Sequence, residues 1–306
     1  MSRRKLAPHL LVLLLFASAC SSQAGEASEP GFDPLVGVQG LPVTDGSQDD
    51  GHAGVVSILG ETAADGSWFL CTGALVGPRA VLTAAHCLND AFATPLRVAF
   101  GENAQNPTMT LRVIDRHVHP DYLREPLADH DLAVLAIEHG VPSEIVPFTY
   151  DVPVSDTLVK IVGFGATESG ASIGRKRMGT ARIDEVGTTR FRVAPAPSLT
   201  CSRDSGAPAF SELGEPEKLV GVTTSGRADC AGFSRFMRTD TYWDSFILPN
   251  ISLTNSLPVP PPEPVAFRPE GGCQMKRLGF SASSPTSAAL ASAVLVGLRR
   301  LRRPRR

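Results

Sequence analysis

Short apolar runs rich in Val, Ile and Leu, broken every few residues by Gly, Pro or Asp, occupy the chain from about residue 36 to 249. This pattern predicts strands at 55–59, 79–83, 96–100, 110–114, 132–137, 158–163, 176–183, 190–193, 207–210, 219–224 and 235–238. Runs of this length at such regular intervals argue for a β-barrel or sandwich rather than a parallel sheet with crossover helices. A single helix is expected near the end of the body, at 242–248. On either side the pattern stops. Residues 20–35 are small, polar and acidic, a tether with no core of its own. Residues 250–272 contain Pro258-Val259-Pro260-Pro261-Pro262, a stiff extended linker.

Composition agrees with many short strands. Aromatic residues make up 6% of the 306, while Gly (28) and Pro (25) are plentiful. The formal charge of −2 conceals a strong asymmetry. Eleven of the 29 basic residues lie in 1–19 and 273–306, with no acid beside them, so the body between holds 18 basic and 31 acidic residues. An acidic body is a poor partner for phosphate backbones, and nucleic-acid binding is not expected.

The first 19 residues have the form of an export signal: Arg3-Arg4-Lys5, then an apolar run from Leu10 to Phe16 too short to remain as a membrane span. They end in Ala17-Ser18-Ala19-Cys20, which resembles a bacterial lipobox with Cys20 as the lipid-bearing residue. The plainer alternative is an ordinary signal-peptidase site that happens to precede a cysteine. At the other end, residues 273–306 combine Cys273, an uncharged stretch at 278–298 and six Arg among the last eight residues. At about 1.5 Å per residue the stretch just reaches across about 30 Å of hydrocarbon. The arrangement resembles a MYXO-CTERM-type sorting tail, with a disordered basic tail as the alternative. Either anchor implies membrane attachment at a bacterial cell envelope or surface, with release from it also open.

Four cysteines remain in the body: Cys71, Cys87, Cys201 and Cys230. They allow three pairings, among which sequence alone does not choose. An exported protein is expected to hold them as disulfides, and no Cys-x₂-Cys spacing favours zinc. The His117-x-His119 spacing with Asp121 is explained by strand alternation, so no metal is expected there.

Three segments carry candidate chemistry. Thr83-Ala84-Ala85-His86-Cys87 follows an apolar strand. His130-Asp131-Leu132-Ala133-Val134-Leu135 sets an acid at the mouth of a buried-looking strand. Cys201-Ser202-Arg203-Asp204-Ser205-Gly206-Ala207-Pro208 sets a Ser in a Gly/Pro-bounded turn. Acyl transfer by a Ser requires a His to take its proton and an Asp to orient that His. Any one of these residues alone is usually an ordinary surface or turn residue; three in matching contexts and in the order His, Asp, Ser leave that explanation little room.

Together the segments resemble the trypsin/chymotrypsin-like serine protease family over 36–249. His119-Pro120-Asp121-Tyr122, Gly163-Phe164-Gly165 and the stretch from Leu219 to Gly226 add secondary landmarks. The resemblance implies an all-β fold of two packed six-stranded antiparallel β-barrels with a short C-terminal helix. It also implies pairing of Cys71 with Cys87 and of Cys201 with Cys230. His86, Asp131 and Ser205 become a catalytic triad, and the N–H groups of Arg203 and Ser205 an oxyanion hole. Thr224 stands where the family keeps a Ser hydroxyl near the Asp, and His130 reads as a solvated neighbour. A monomer acting on protein or peptide substrates without a cofactor is expected.

The sequence departs from the family at several points. Arg203 and Ala207 replace two glycines around the nucleophile, and the Arg203 side chain is expected to crowd the leaving-group side. The specificity pocket, from Leu199, Thr200, Thr224, Ser225 and Gly226, has Leu199 at its floor, which implies a non-basic preference. Arg227 or Arg235 reaching the pocket would instead favour acidic side chains. Activation by an ion pair to Asp204 points to Val36 in Val36-Gly37-Val38-Gln39-Gly40 as the new N-terminus. The competing functions are a catalytically impaired protease fold serving as a surface binding module and a structural surface lipoprotein.

Overall fold

The computed structural model describes residues 43–261 except 89–91, 93, 124–128, 167–172, 213–215 and 227–229. The export signal with Cys20, the tether, Val36, Arg227 and the tail with Cys273 lie outside the described residues. The chain divides into two compact units, Met1–Pro260 and Pro261–Arg306, and the described residues belong to the first save for Pro261.

The first half forms a closed antiparallel barrel of β2 (Val55–Glu61), β3 (Trp68–Gly77), β4 (Ala80–Thr83), β5 (Arg97–Phe100), β6 (Met109–Val118) and β7 (Ala133–Ile137), in the order β2-β3-β4-β7-β6-β5. A second six-stranded barrel follows: β8 (Leu158–Gly163), β9 (Arg177–Val186), β10 (Arg190–Pro195), β11 (Pro208–Ser211), β12 (Lys218–Gly226) and β13 (Ser234–Arg238). It runs β9-β10-β13-β12-β11-β8 and closes through β8–β9, with the two-residue β1 (Ser47–Gln48) added to the free edge of β9. The expected all-β, two-barrel fold is the one observed.

Strand alternation explains how two barrels share one core. Side chains of successive strand residues point to opposite faces. On β7, Leu135 and Ile137 fill the first barrel with Val56, Ile58, Val81 and Val98, while Val134 faces outward. On β8, Val159 and Ile161 fill the second barrel with Ile183, Phe191 and Phe236, while Val162 faces outward. The outward sets meet in a third cluster with Phe164, Phe210, Val222 and Met237. A strand covered on both faces reads as an unbroken apolar run, and β7 is buried at every position.

The C-terminal helical segment is longer than expected. It runs as α1 (Thr239–Tyr242), a π-helical turn (Trp243–Ile247) and α2 (Leu248–Ser256). Pro249 looks like a helix stop in the sequence. The helix restarts at Leu248 and takes Pro249 into its first turn, where the missing N–H has no intrahelical partner to lose. Tyr242, Phe246, Ile247 and Ile251 dock the segment into the shared cluster. At its end the Leu257 carbonyl accepts from buried Arg79, whose guanidinium also reaches the carbonyls of Ile137 and Glu138.

Candidate active site

His86 lies in a 3₁₀ turn (Ala85–Leu88) at the end of β4. The Cys71–Cys87 disulfide ties that turn to β3. Asp131 lies two residues before β7 and is wholly buried. It meets His86 twice: the His86 main-chain N–H donates to Oδ1 at 2.8 Å, and Nδ1 lies 2.7 Å from Oδ2. A carboxylate there fixes a proton on Nδ1 and leaves Nε2 as the basic nitrogen. The Asp131 side chain is 0% exposed and that of His86 30%, so the base reaches solvent while its orienting acid does not.

Ser205 is half-buried in the turn between Cys201 and β11. Its carbonyl accepts from Thr72 N on β3 at 2.9 Å, which pins this second-barrel loop against the first barrel. Gly206 makes the approach possible. Its φ is +84°, and a Cβ there would fall 2.2 Å from both Thr72 O and Thr83 Oγ1. Gly206 N and Thr223 Oγ1 further tie the turn to β12. Among the described residues, the amides of Arg203 and Ser205 donate no hydrogen bond, so both are free for a ligand.

Arg203 adopts φ +74°, a left-handed conformation natural to glycine. Its half-buried guanidinium is lowered from its ordinary pKa by burial and makes no ion pair among the described residues.

Asp204 points the other way, into the protein. It accepts from Gly165 N at 2.8 Å and Cys201 N at 3.0 Å, and from the main-chain N–H of Val43. Gly163 and Gly165 leave room for it: a Cβ at either would fall 2.2 and 2.6 Å from Asp204 atoms. Burial pushes the carboxyl up to about 7, against the opposing pull of these N–H groups and Arg177. The segment that brings Val43 there is clamped. Thr44 N donates to Leu199 O at 2.9 Å, Leu199 N to Thr44 Oγ1 at 3.0 Å, and Arg177 to Gly46 O. The main-chain N–H of Val43 is thus one of the groups that meet Asp204 among the described residues, which do not include Val36.

The expected pocket residues separate into layers. Leu199 is 1% exposed and packs inside the second barrel with Val43, Ile161 and Phe236, so its side chain belongs to the barrel interior. Thr200, next along the chain, is bonded to Ser234, a residue that the sequence pattern does not single out. Gly226 pairs with Ser234 across β12 and β13. The Thr224 hydroxyl donates to the Arg235 carbonyl at 3.4 Å rather than to Asp131. Arg235 stacks on Phe233, 4.5 Å from the ring centre. Cys201–Cys230 closes this region, so both disulfides pair as the resemblance implied.

The histidines near Asp131 also differ from expectation. His130 is not a solvated neighbour: its ring stacks on His119 with centres 5.0 Å apart, and Tyr242 Oη lies 2.9 Å from its Nδ1. His119 is pushed below its ordinary pKa by burial and by His130. His117 turns away to Asp115.

The family model described as trypsin matches residues 43–244. Human granzyme M is 34% identical over 113 residues, covering 35% of this chain and 44% of its own length. The serine proteinase stubble of Drosophila melanogaster is 26% identical over 176 residues, covering 54% of this chain and 21% of its own. A trypsin of Saccharopolyspora erythraea is 28% identical over 202 residues, covering 59% and 86%. The chain thus spans less than half the length of the first two.

Proposed function

Because the chain belongs to the trypsin family, we propose that it is a serine endopeptidase in which Ser205 attacks the peptide carbonyl and His86 takes its proton. The observation that carries this reading is the double contact of His86 with buried Asp131, which leaves the outer imidazole nitrogen basic. Asp131 orients the ring and stabilises the imidazolium formed on proton transfer. The Arg203 and Ser205 amides receive the oxyanion, a role in which one donor is commonly worth about 10²–10³ in rate. His86 then returns the proton to the leaving amine, and water repeats the sequence on the acyl-enzyme. None of these steps calls for a metal or cofactor.

Activation is assigned to a cut between Pro42 and Val43. Its support is the Val43 N–H on Asp204, the 1% exposure of Val43 and the start of the family match at residue 43. Pro42 before the bond excludes a trypsin-like activator, which needs a basic residue there. The substrate preference is non-basic, since Leu199, Thr200, Thr224, Ser225, Gly226 and Ser234 supply no carboxylate. Two disulfides agree with an exported protein in an oxidising compartment. Attachment to the bacterial envelope through Cys20 or the 273–306 tail completes the proposal.

A binding module with an impaired site is the second reading, favoured by the strained, half-buried Arg203. The two separate in one experiment. The whole chain, carrying an engineered cleavage site directly before Val43, is cut and treated with a fluorophosphonate. Labelling that Ser205→Ala abolishes is the expected result; absence of labelling in the cut protein favours the binding module.

A further inference from the structure

Among the described residues, the Asp131 carboxylate accepts hydrogen bonds from His86 alone, and the Thr224 hydroxyl is engaged elsewhere. The aim of that carboxylate is therefore set by the main chain on either side of it. Leu132 N donates to His130 O at 2.8 Å, which puts Asp131 at the centre of a three-residue turn. One end of the turn is held by main chain, since His119 N donates to Leu132 O at 3.0 Å. At the other end His130 stands at φ +53°, left-handed and strained for a residue with a Cβ.

The His130 side chain is gripped on two sides. Its ring lies 16° from parallel to that of His119, with centres 5.0 Å apart. Tyr242 stands at 89° to it and places Oη 2.9 Å from Nδ1. Tyr242 closes α1 and is 3% exposed. Phe246, in the π-helical turn, packs on His119 with ring centres 4.8 Å apart. Such turns are rare and often accompany functional positions.

We infer that His130 is a positioning residue: held by His119 and Tyr242, it fixes the turn that aims Asp131 at His86 and so couples the C-terminal helical segment to the triad. The inference rests on the reading of Asp131 as the group that orients His86, and adds what orients Asp131. The two contacts between Asp131 and His86 make the geometry demanding, because both carboxylate oxygens are committed at once. Rotation of the turn cannot keep one contact without straining the other. Packing alone would be a different role, since losing it would lower the melting temperature and leave the bond between Asp131 and His86 intact.

The test uses the whole chain, cut before Val43, and two readouts. The first is the rate at which a small fluorophosphonate labels Ser205, phosphorus bonding to Oγ as fluoride leaves. The second is the downfield proton resonance of the His86 Nδ1–H shared with Asp131, which Asp131→Asn identifies by removing it. In His130→Ala the labelling rate should fall by about 10²-fold, the cost of a small misplacement at a reacting centre, and the resonance should move upfield or broaden. Tyr242→Phe removes only the hydroxyl and should shift both readouts in the same direction by less. His130→Asn should regain about tenfold of the lost rate, because Asn tolerates a left-handed φ and its amide reaches towards Tyr242. An unchanged rate and resonance in folded His130→Ala overturn the inference. If that variant does not fold, unchanged readouts in Tyr242→Phe overturn it. A slower rate with an unmoved resonance overturns it as well, since that loss does not pass through Asp131. Failure of the wild-type protein to label removes the reading of Ser205 as nucleophile, while the resonance still reports on the aim of Asp131.

Discussion

Asp131 makes two bonds to one residue, and they separate under substitution. Asp131→Asn keeps an oxygen for the His86 main-chain N–H, so the turn should stay folded. The amide no longer enforces the proton on Nδ1, and a loss of about 10⁴ in turnover is expected. Kinetics alongside a melting curve check this; a loss below tenfold in the folded variant would mean that His86 is not the base. Arg203→Gly should act in the opposite direction. A left-handed residue with a Cβ is strained by about 1–2 kcal/mol, so the glycine variant should melt higher and label faster with fluorophosphonate. An unchanged rate would show that the Arg203 side chain does not obstruct the site. His86, Asp131, Asp204 and Ser205 stand out in the sequence because each sits in a local motif, and the structure brings His86 onto Asp131. Val43, whose N–H meets Asp204, does not stand out, for a physical reason. The turn after it uses Asp45 at φ 53°, a conformation that Asp tolerates, so the glycine that normally marks such a start is missing. The Val36-Gly37 pair stands out instead, and it lies outside the described residues. Ser234 carries no motif at all, and only the pairing of β12 with β13 brings it to Thr200.

At the level of elements, the turn between β1 and β2 is held by an unusual histidine. His52 Nδ1 lies 2.7 Å from Asp49 Oδ1, and Nε2 lies 3.0 Å from Glu217 Oε2, in the loop before β12. A neutral imidazole carries a single N–H, so both contacts are satisfied only by the imidazolium. The bond to Asp49 raises the His52 pKa above its ordinary 6.5 despite burial. Lys160 pairs with Glu217, Lys176 Nζ donates to the His52 carbonyl at 2.7 Å, and Glu144 lines the same cavity of about 200 Å³. A raised pKa contributes stability that is full below 6.5 and lost as pH rises through the higher folded value. Asp49 and Glu217 are lowered, so their share is lost only as pH falls below their ordinary 3.8 and 4.5. His52→Gln should therefore lower the Tm most between about pH 4.5 and 6.5, by a few degrees for about 1 kcal/mol after allowance for partial exposure. A deficit independent of pH would assign His52 a packing role only. All eleven expected strands exist, with ends displaced by a few residues. The strand Trp68–Gly77 was not proposed as one because its Thr-Gly interior and flanking Cys read as motif, not period. The helix extends past Pro249 because that proline falls in the first turn of α2, a position that the sequence does not reveal.

For the whole molecule, the proposed activation makes the cut before Val43 the decisive variable. In the uncut chain the main-chain N–H of Val43 is all that this residue can offer Asp204, and the buried carboxyl stands at about 7. Its pKa is thus above the unfolded value, so the stability it contributes is full below about 3.8 and declines as pH rises through about 7. By pH 8 the uncut fold carries the penalty of ionising a buried acid, on the order of a few kcal/mol. Cutting replaces that N–H by an ammonium at the same place. The cation stabilises the carboxylate, its pKa falls, and the penalty disappears until the pH exceeds the pKa of the new amine. The two forms should therefore melt together near pH 4 and diverge towards pH 8, with the cut form higher by several degrees. Asp204→Asn should flatten the uncut curve and remove the difference. Parallel melting curves for cut and uncut protein would separate Val43 from Asp204 and leave the mature N-terminus to be sought elsewhere. Asp204 adjoins Arg203 and Ser205, and the N–H groups of Gly165, Cys201 and Val43 already hold it inward in the uncut chain. Under the proposed activation the cut therefore adds charge and stability to a turn that is already formed.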